Sequence, residues 1–134
     1  MALTAVDTSL LVPALAPWHA EHRRADELLG RTANLRMIGH VLLETYSWLT
    51  RNRPRTPPSV ASSVLRSLPG PVIVLSVDGH AHVLERVSSL GIAGGAVYDA
   101  LIAAAASEAN ARLLSRDERA ARTYAAIGVQ FELV

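Results

Sequence analysis

The segment ANARLLSRDERAARTYAAIGVQFELV, residues 109–134, decides the fold class. Its ARLLS run at 111–115 predicts a β-strand, residues 118–127 predict a helix, and the closing GVQFELV predicts another strand. Strands joined through a helix are typical of parallel sheets, because antiparallel neighbours need only a short turn. The segment therefore indicates an α/β protein.

The rest of the chain repeats this alternation of short apolar runs and longer helical segments. Further strands are predicted at residues 2–6, 35–39 and 72–77, of which the last (VIVLSV) is the clearest β-branched run. Further helices are predicted at 8–15, 17–30, 40–52, 59–68, 79–90 and around Asp99. We expect a single domain over residues 1–134, with a mainly parallel central sheet of about five strands flanked by helices.

The composition excludes several kinds of chemistry. The chain has no Cys, which rules out disulfides, thiolate metal sites and a Cys nucleophile. All 13 basic residues are Arg, so there is neither a P-loop lysine nor a Schiff-base lysine. We see no signal peptide, and no apolar run reaches the ~18 residues of a membrane span, so we expect a cytoplasmic protein. The mean hydropathy of +0.23 indicates burial against another subunit or partner, although Ala-rich buried helices would give the same value.

Two acidic side chains follow predicted strands directly. Asp7 comes after the first strand and Asp117 after the strand at 111–115. Both are therefore expected at the carboxyl edge of the sheet, where α/β proteins bind ligands. Each could instead be a helix N-cap, which is how we interpret Asp78 in the same strand-to-helix position.

Two further acids are harder to explain as caps. Glu44 is expected in the middle of a helix, and Asp99 belongs to a helix whose residues 100–106 carry no polar side chain, which predicts burial. The alternative for Asp99 is a first-turn carboxylate that interacts favourably with the helix dipole. Four converging carboxylates would repel one another, and a divalent cation would remove that repulsion. An all-oxygen site suits Mg²⁺ or Mn²⁺ and phosphodiester hydrolysis.

The segments around these acids resemble the PIN-domain ribonucleases and, among them, the VapC-type toxins of toxin–antitoxin modules. The matching segments are VDTSLLV at 6–12, VLLETYSWLTR at 41–51 and VYDALIAAAASEANARLLSRDERA at 97–120. The resemblance implies a three-layer α/β fold and an Mg²⁺- or Mn²⁺-dependent endoribonuclease. Its catalytic and metal-binding residues would be Asp7, Glu44, Asp99 and Asp117.

The same resemblance implies a role for each of the four acids. Asp7 and Asp99 would bind the metal directly, whereas Glu44 and Asp117 would bind it directly or through water and position the attacking hydroxide. Ser115, the small polar residue before the fourth acid, would help the ligand geometry. Hydrolysis would leave a 5′-phosphate and a 3′-hydroxyl. The protein would be a homodimer inhibited by a cognate VapB-type antitoxin that covers the cleft.

Recognition of RNA has two candidate residues. Arg116 and Arg119 flank Asp117, and both could contact RNA phosphates. The chain has only two Trp, three Tyr and one Phe, and the sequence shows no aromatic stacking platform. Substrate choice is therefore expected to depend on shape and charge.

Two other functions stay open at the level of the sequence. The first is a catalytically silent PIN-like module that binds RNA or protein, with the acids serving as helix caps. The second is a phosphohydrolase of small molecules, which would carry another acid two residues after Asp7, where this chain has Ser9. The absence of Lys also argues against the second.

Overall fold

The computed structural model describes residues 2–134 and contains a four-stranded sheet in which every pairing is parallel. Its strands are β1 (Leu3–Val6), β2 (Leu35–Arg36), β3 (Ala111–Ser115) and β4 (Phe131–Leu133), in the spatial order β2–β1–β3–β4. The prediction of an α/β protein with a parallel sheet is confirmed. The sheet has four strands rather than about five.

Seven helices within residues 2–134 connect and flank the strands. They are α1 (Thr8–Leu15), α2 (His22–Gly30), α3 (Gly39–Arg51), α4 (Pro58–Arg66), α5 (Val77–Ser89), α6 (Ala96–Glu108) and α7 (Glu118–Ile127). Helix α1 packs against α2 and α3, whereas α6 packs against α5 and α7. Both α1 and α6 also contact β3, which is an inner strand of the sheet.

The prediction of a strand at residues 72–77 is wrong. Only Ile73 pairs, in a single parallel bridge with Ile38. The neighbouring chain can offer no longer partner, because α3 begins at Gly39, and α5 already begins at Val77. The alternation of buried and exposed side chains typical of a strand is present, with Ile73 and Leu75 buried and Val74 exposed, but the hydrogen-bonded ladder is not.

Two helix starts also differ from the prediction. Helix α2 begins at His22 rather than at residue 17, because the Glu21 amide donates to the His19 ring and holds a turn there. Helix α5 begins two residues early, and its cap is Ser76, whose hydroxyl accepts from the Gly79 amide. The interpretation of Asp78 as the cap is therefore wrong, since it lies in the first turn.

The register between β1 and β3 fixes the position of the candidate site. Val6 pairs with Leu114, so the next residues along the two strands, Asp7 and Ser115, lie side by side at the carboxyl edge. The Asp7 amide donates to the Leu114 carbonyl at 3.1 Å and extends the ladder by one step. Beneath this edge the core is apolar and includes the fully buried Val6 and Leu113. Within residues 2–134 no helix combines the length and the apolar character that crossing a membrane requires.

Candidate active site

Asp7 is a buried carboxylate, 3% exposed, that is held by three hydroxyl groups. Ser9 donates to its Oδ1 at 2.5 Å, Tyr124 donates to its Oδ2 at 2.7 Å, and Ser115 donates to the same Oδ2. Asp7 stands at the N-cap position of α1, but its side chain accepts no capping hydrogen bond. Its carboxylate is thus committed to the interior of the site and not to the helix end.

Asp117 is the N-cap of α7 and is also linked to the hydroxyl group that binds Asp7. It caps α7, because its Oδ1 accepts from the amides of Arg119 at 2.9 Å and Ala120 at 3.3 Å. Its own amide donates to the Ser115 hydroxyl at 3.0 Å, which ties it to the group that binds Asp7. The cap fixes the orientation of the carboxylate and leaves the second oxygen outside the capping bonds.

Glu44 and Asp99 come to the site from helices. Glu44 lies in the middle of α3, where its Oε1 accepts from the Thr8 hydroxyl at 2.7 Å and its Oε2 lies 3.6 Å from Nε2 of His40. Asp99 lies in the first turn of α6, ahead of the buried residues Ala100, Ile102 and Ala103. The predicted burial of this helix is confirmed.

The pKa of Asp99 is affected by the charges of the other three acids. Its pKa is raised to about 6, first by partial burial and then by the negative charges of Asp117, Asp7 and Glu44. Each of these three charges can raise the pKa only if it lies close by in a poorly solvated region. The other three acids selected from the sequence therefore lie close enough to Asp99 for their charges to affect its ionisation.

The two arginines beside Asp117 are placed differently. The Arg116 guanidinium donates to the Ser9 carbonyl at 3.4 Å and lines a cavity of about 350 Å³ together with Arg24 and Arg31. Arg119 is exposed on the first turn of α7. A second cavity, of about 340 Å³, adjoins Asp117 and is lined by Thr8, Ser9, Val12, Pro13, His19 and Trp48. Two cavities therefore adjoin the β3–α7 connection, one lined by Arg116 and the other by Asp117.

The donor set suits a hard divalent cation, although the side chains do not form a finished cage. Within residues 2–134, no three acidic or histidine side chains are arranged so that together they could hold a metal ion. Mg²⁺ commonly keeps several waters and uses only one or two carboxylates. The raised pKa of Asp99 marks repulsion that a cation would relieve. The residues therefore fit a cation that is held partly through water.

Three residues of the site were not selected from the sequence. Ser9 lies two residues after Asp7, and its hydroxyl also accepts from the Arg116 amide at 2.8 Å. Tyr124 belongs to the buried face of α7 and follows the pattern of an ordinary core residue. His40 precedes Glu44 by one helical turn, and that spacing was the only available signal for it.

The parallel sheet, with acids at its carboxyl edge and on the helices beside it, defines the class of this protein. Comparison with known families shows which family that is. The family model described as "PIN domain" matches residues 4–126. Ribonuclease VapC40 of Mycobacterium tuberculosis is 37% identical over 135 residues, which cover 98% of this chain and 99% of the relative. The chain belongs to the PIN-domain family and, within it, to the VapC-type ribonucleases.

Solved structures support the fold assignment. M. tuberculosis VapC20, described as a sarcin–ricin loop cleaving toxin, superposes with a TM-score of 0.74 at 20% identity, over 89% of this chain and 93% of that one. VapBC2 from Rickettsia felis, solved with a DNA fragment from the promoter, superposes with a TM-score of 0.69 at 18% identity, over 98% of both chains. At such identities the likeness concerns the fold alone.

Proposed function

We propose that this chain is the toxin of a toxin–antitoxin module and that it cleaves RNA internally in a reaction that requires a divalent metal ion. The active site consists of Asp7, Glu44, Asp99 and Asp117. The observation that carries the proposal is the placement of the four acids, with Asp7 and Asp117 at the ends of neighbouring strands and Glu44 and Asp99 on helices beside them. In keeping with this placement, partial burial and then the charges of the other three acids raise the pKa of Asp99 to about 6. A group of acids serving only as helix caps would have no reason to converge in this way.

The four acids divide into direct and indirect ligands of Mg²⁺ or Mn²⁺. Asp7 and Asp99 bind the ion directly, whereas Glu44 and Asp117 bind it directly or through water. When bound, a divalent ion stabilises negative charge on a phosphoryl oxygen and lowers the pKa of water. The Ser9, Ser115 and Tyr124 hydroxyls keep the Asp7 carboxylate in one orientation, so that it needs little rearrangement on binding.

The substrate is RNA, and the products carry a 5′-phosphate and a 3′-hydroxyl. Glu44 and Asp117 would position the attacking water. Arg119, exposed on α7, and Arg116, beside the 350 Å³ cavity, contact phosphates that flank the cleaved bond. Both arginines act through charge and the number of N–H donors and not through base identity.

A VapB-type antitoxin covers the cleft, and two copies of the toxin form a homodimer. The R. felis relative was solved as VapBC2, which supports an antitoxin for this chain. Large apolar side chains are exposed and available for such contacts, including Leu43 (72%), Val74 (71%) and Val77 (87%). Light scattering of the isolated chain tests the dimer, and a monomer at micromolar concentration would contradict it.

The central experiment compares RNA cleavage by the wild-type protein and two variants. Purified protein is incubated with total RNA in Mg²⁺, in Mn²⁺ and in EDTA, and the product ends are mapped. We expect cleavage at discrete sites that EDTA abolishes. Asp99→Asn should lower the cleavage rate by more than about 100-fold, because it removes a negative ligand.

Asp78→Asn is the matched control for this experiment. Asp78 occupies the first turn of α5 as Asp99 occupies the first turn of α6, but it is exposed and belongs to another surface. Its variant should cleave at the wild-type rate. Cleavage that survives both EDTA and Asp99→Asn would refute the proposed mechanism, and no cleavage by the wild-type protein would favour a silent binding module.

A further inference from the structure

Two aromatic rings stack on each other at the rim of the acidic cleft. The rings of His40 and Tyr98 are nearly parallel, with an interplanar angle of 6° and a centroid separation of 5.3 Å. They come from different helices, since His40 lies in the first turn of α3 and Tyr98 in the first turn of α6. No local sequence pattern indicates this pair, because 58 residues separate its members.

The stack is fixed relative to two of the acids. Tyr98 directly precedes Asp99, and Nε2 of His40 lies 3.6 Å from Oε2 of Glu44. The Glu44 carboxylate is in turn bound by the Thr8 hydroxyl. The His40 ring therefore has a support on the side of the active site, and it supports the Tyr98 ring in turn.

The approach to the Tyr98 ring is open. The residue is 54% exposed although one face of its ring lies against His40. The loop that leads into α6 contributes Gly94 and Gly95, and a Cβ added at either position would meet no atom within 4 Å. More than half of the Tyr98 side chain is therefore accessible to a flat group from solvent.

We propose that the His40–Tyr98 pair is a platform on which an unpaired RNA base stacks, next to the phosphate that the acids attack. This inference rests on the proposed ribonuclease function and assigns the binding of one base of its substrate to two residues beside the acids. A phosphate held at the acids would bring its own nucleotide close to the platform, because the His40 ring lies 3.6 Å from the Glu44 carboxylate. A base inside a duplex has both faces covered by its neighbours and cannot stack there.

Tyr98 would thus be a specificity residue, and His40 a positioning residue that acts through it. An aromatic ring accepts any base on its face, so the platform selects unpaired structure more than sequence. Removing it should weaken the recognition of one nucleotide and leave the acids in place. This separates its effect from that of the acidic ligands.

The test combines a change in the protein with a change in the RNA. An oligoribonucleotide that spans a cleavage site mapped in total RNA is prepared with each base near the cut removed in turn, leaving an abasic nucleotide. The ratio kcat/KM is measured for wild type, Tyr98→Phe and Tyr98→Leu. Tyr98→Phe keeps the ring, whereas Tyr98→Leu keeps apolar bulk without it. Thermal unfolding of all three proteins shows that each is folded.

We expect one abasic position to lower kcat/KM of the wild-type protein about tenfold or more, with most of the change in KM. Tyr98→Phe should show the same ratio of kcat/KM between the intact and the abasic oligoribonucleotide as the wild type, because it keeps the ring. Tyr98→Leu should cleave the intact oligoribonucleotide about tenfold less well and should lose no further activity at that abasic position. His40→Ala should show a smaller version of the Tyr98→Leu pattern.

Equal abasic effects in wild type and Tyr98→Leu would overturn the platform while leaving the ribonuclease function standing. Unchanged cleavage by Tyr98→Leu together with weaker inhibition by the cognate antitoxin would also overturn it and would assign the ring to protein contact. A wild-type protein that cleaves no RNA would refute the proposed function itself. The two proposals therefore fail by different results.

Discussion

The acidic cleft has two walls that stabilise their negative charges in different ways. The strand wall carries Asp7 and Asp117 at strand ends, and the helix wall carries Glu44 and Asp99 on helices. At the strand ends, three hydroxyl groups donate to Asp7 and two backbone amides donate to Asp117. These donors stabilise the ionised carboxylates in the protein as it stands. The carboxylates of the strand wall therefore have their hydrogen-bond donors without any ligand.

Among the described residues, the helix wall lacks hydrogen-bond donors that would stabilise the charge of Asp99. Burial and three negative neighbours raise the pKa of Asp99 to about 6, and no donor from residues 2–134 offsets them. Glu44 is intermediate, with the Thr8 hydroxyl on one oxygen and His40 near the other. The contrast suggests that the strand wall sets the geometry, whereas the helix wall retains unfavourable electrostatics that a cation relieves. A local cost of this kind is common at functional sites.

The largest stability effect should come from Asp7→Asn. The amide nitrogen cannot accept from the hydroxyls around it, so buried donors lose their partner, and we expect a loss of about 2 kcal/mol in the free energy of unfolding. Asp99→Asn should instead gain stability, because it removes a poorly stabilised charge. Urea denaturation of both variants in EDTA measures the two changes. Equal losses in both variants would remove the distinction between the walls.

Tyr124→Phe tests one donor of the strand wall. The variant removes the hydroxyl that donates to Asp7 but keeps the ring, which packs edge-on against Phe131 with centroids 5.7 Å apart. We expect a loss of about 1.5 kcal/mol and a roughly tenfold lower cleavage rate, since a positioning hydrogen bond is lost. Chemical denaturation and initial rates measure these quantities. Tyr98→Phe is the stability control, because the Tyr98 side chain is half exposed and keeps its ring.

The helix wall predicts a pH dependence of stability in the metal-free protein. The pKa of Asp99 is higher in the folded state than its ordinary value of 3.8, so its ionised form is disfavoured by folding. Stability is therefore full below about pH 4 and decreases as the pH rises through about 6. After allowance for solvent screening of this partly exposed group, the loss is on the order of 1 kcal/mol.

Comparison with Asp99→Asn isolates this contribution. The two proteins should have similar melting temperatures near pH 4, and the variant should become the more stable one as the pH approaches 7. Added Mg²⁺ should stabilise the wild type more than the variant. A difference that does not change between these pH values would show that the charge of Asp99 has little effect on folding.

The sequence predicts those parts of the molecule whose signals are local. The strand ARLLS was predicted at residues 111–115, and β3 covers the same residues, because its apolar run has clear ends and a full partner in β1. The run at 72–77 has an equally strong local signal but no neighbour long enough to pair with it. Strand formation depends on the partner as well as on the segment, which is why the second prediction failed.

The candidate site follows the same rule. Its four acids could be selected because each occupies a recognisable place on a strand end or helix and resembles a family motif. The donor from Tyr124 could not be selected, because 117 residues separate it from Asp7 and nothing near it differs from an ordinary core position. The same holds for the stacking of Tyr98 on His40. Such contacts depend on tertiary packing that no local pattern describes.

The substitution with the smallest expected effect is Thr45→Val. It tests whether every energetically unfavourable group in or near the helix wall is needed for cleavage. Thr45, next to Glu44 on α3, is completely buried, and its Oγ1 is the one buried side-chain polar atom within residues 2–134 that lacks a hydrogen-bond partner. Thr45→Val keeps the shape and removes the unpaired hydroxyl. We expect a gain of ~0.5–1 kcal/mol in urea denaturation and an unchanged cleavage rate.

Asp99→Asn is the natural comparison for that variant. Both substitutions should raise stability, but only the change at Asp99 should abolish cleavage, because only the carboxylate contributes to the proposed metal site. If Thr45→Val also impaired cleavage, the Thr45 hydroxyl would help to position Glu44. The geometry of the helix wall would then depend on this hydroxyl as well as on the acids. If it lowered stability instead, the hydroxyl would have a partner in solution, and Asp99 would remain the single unfavourable group of that wall.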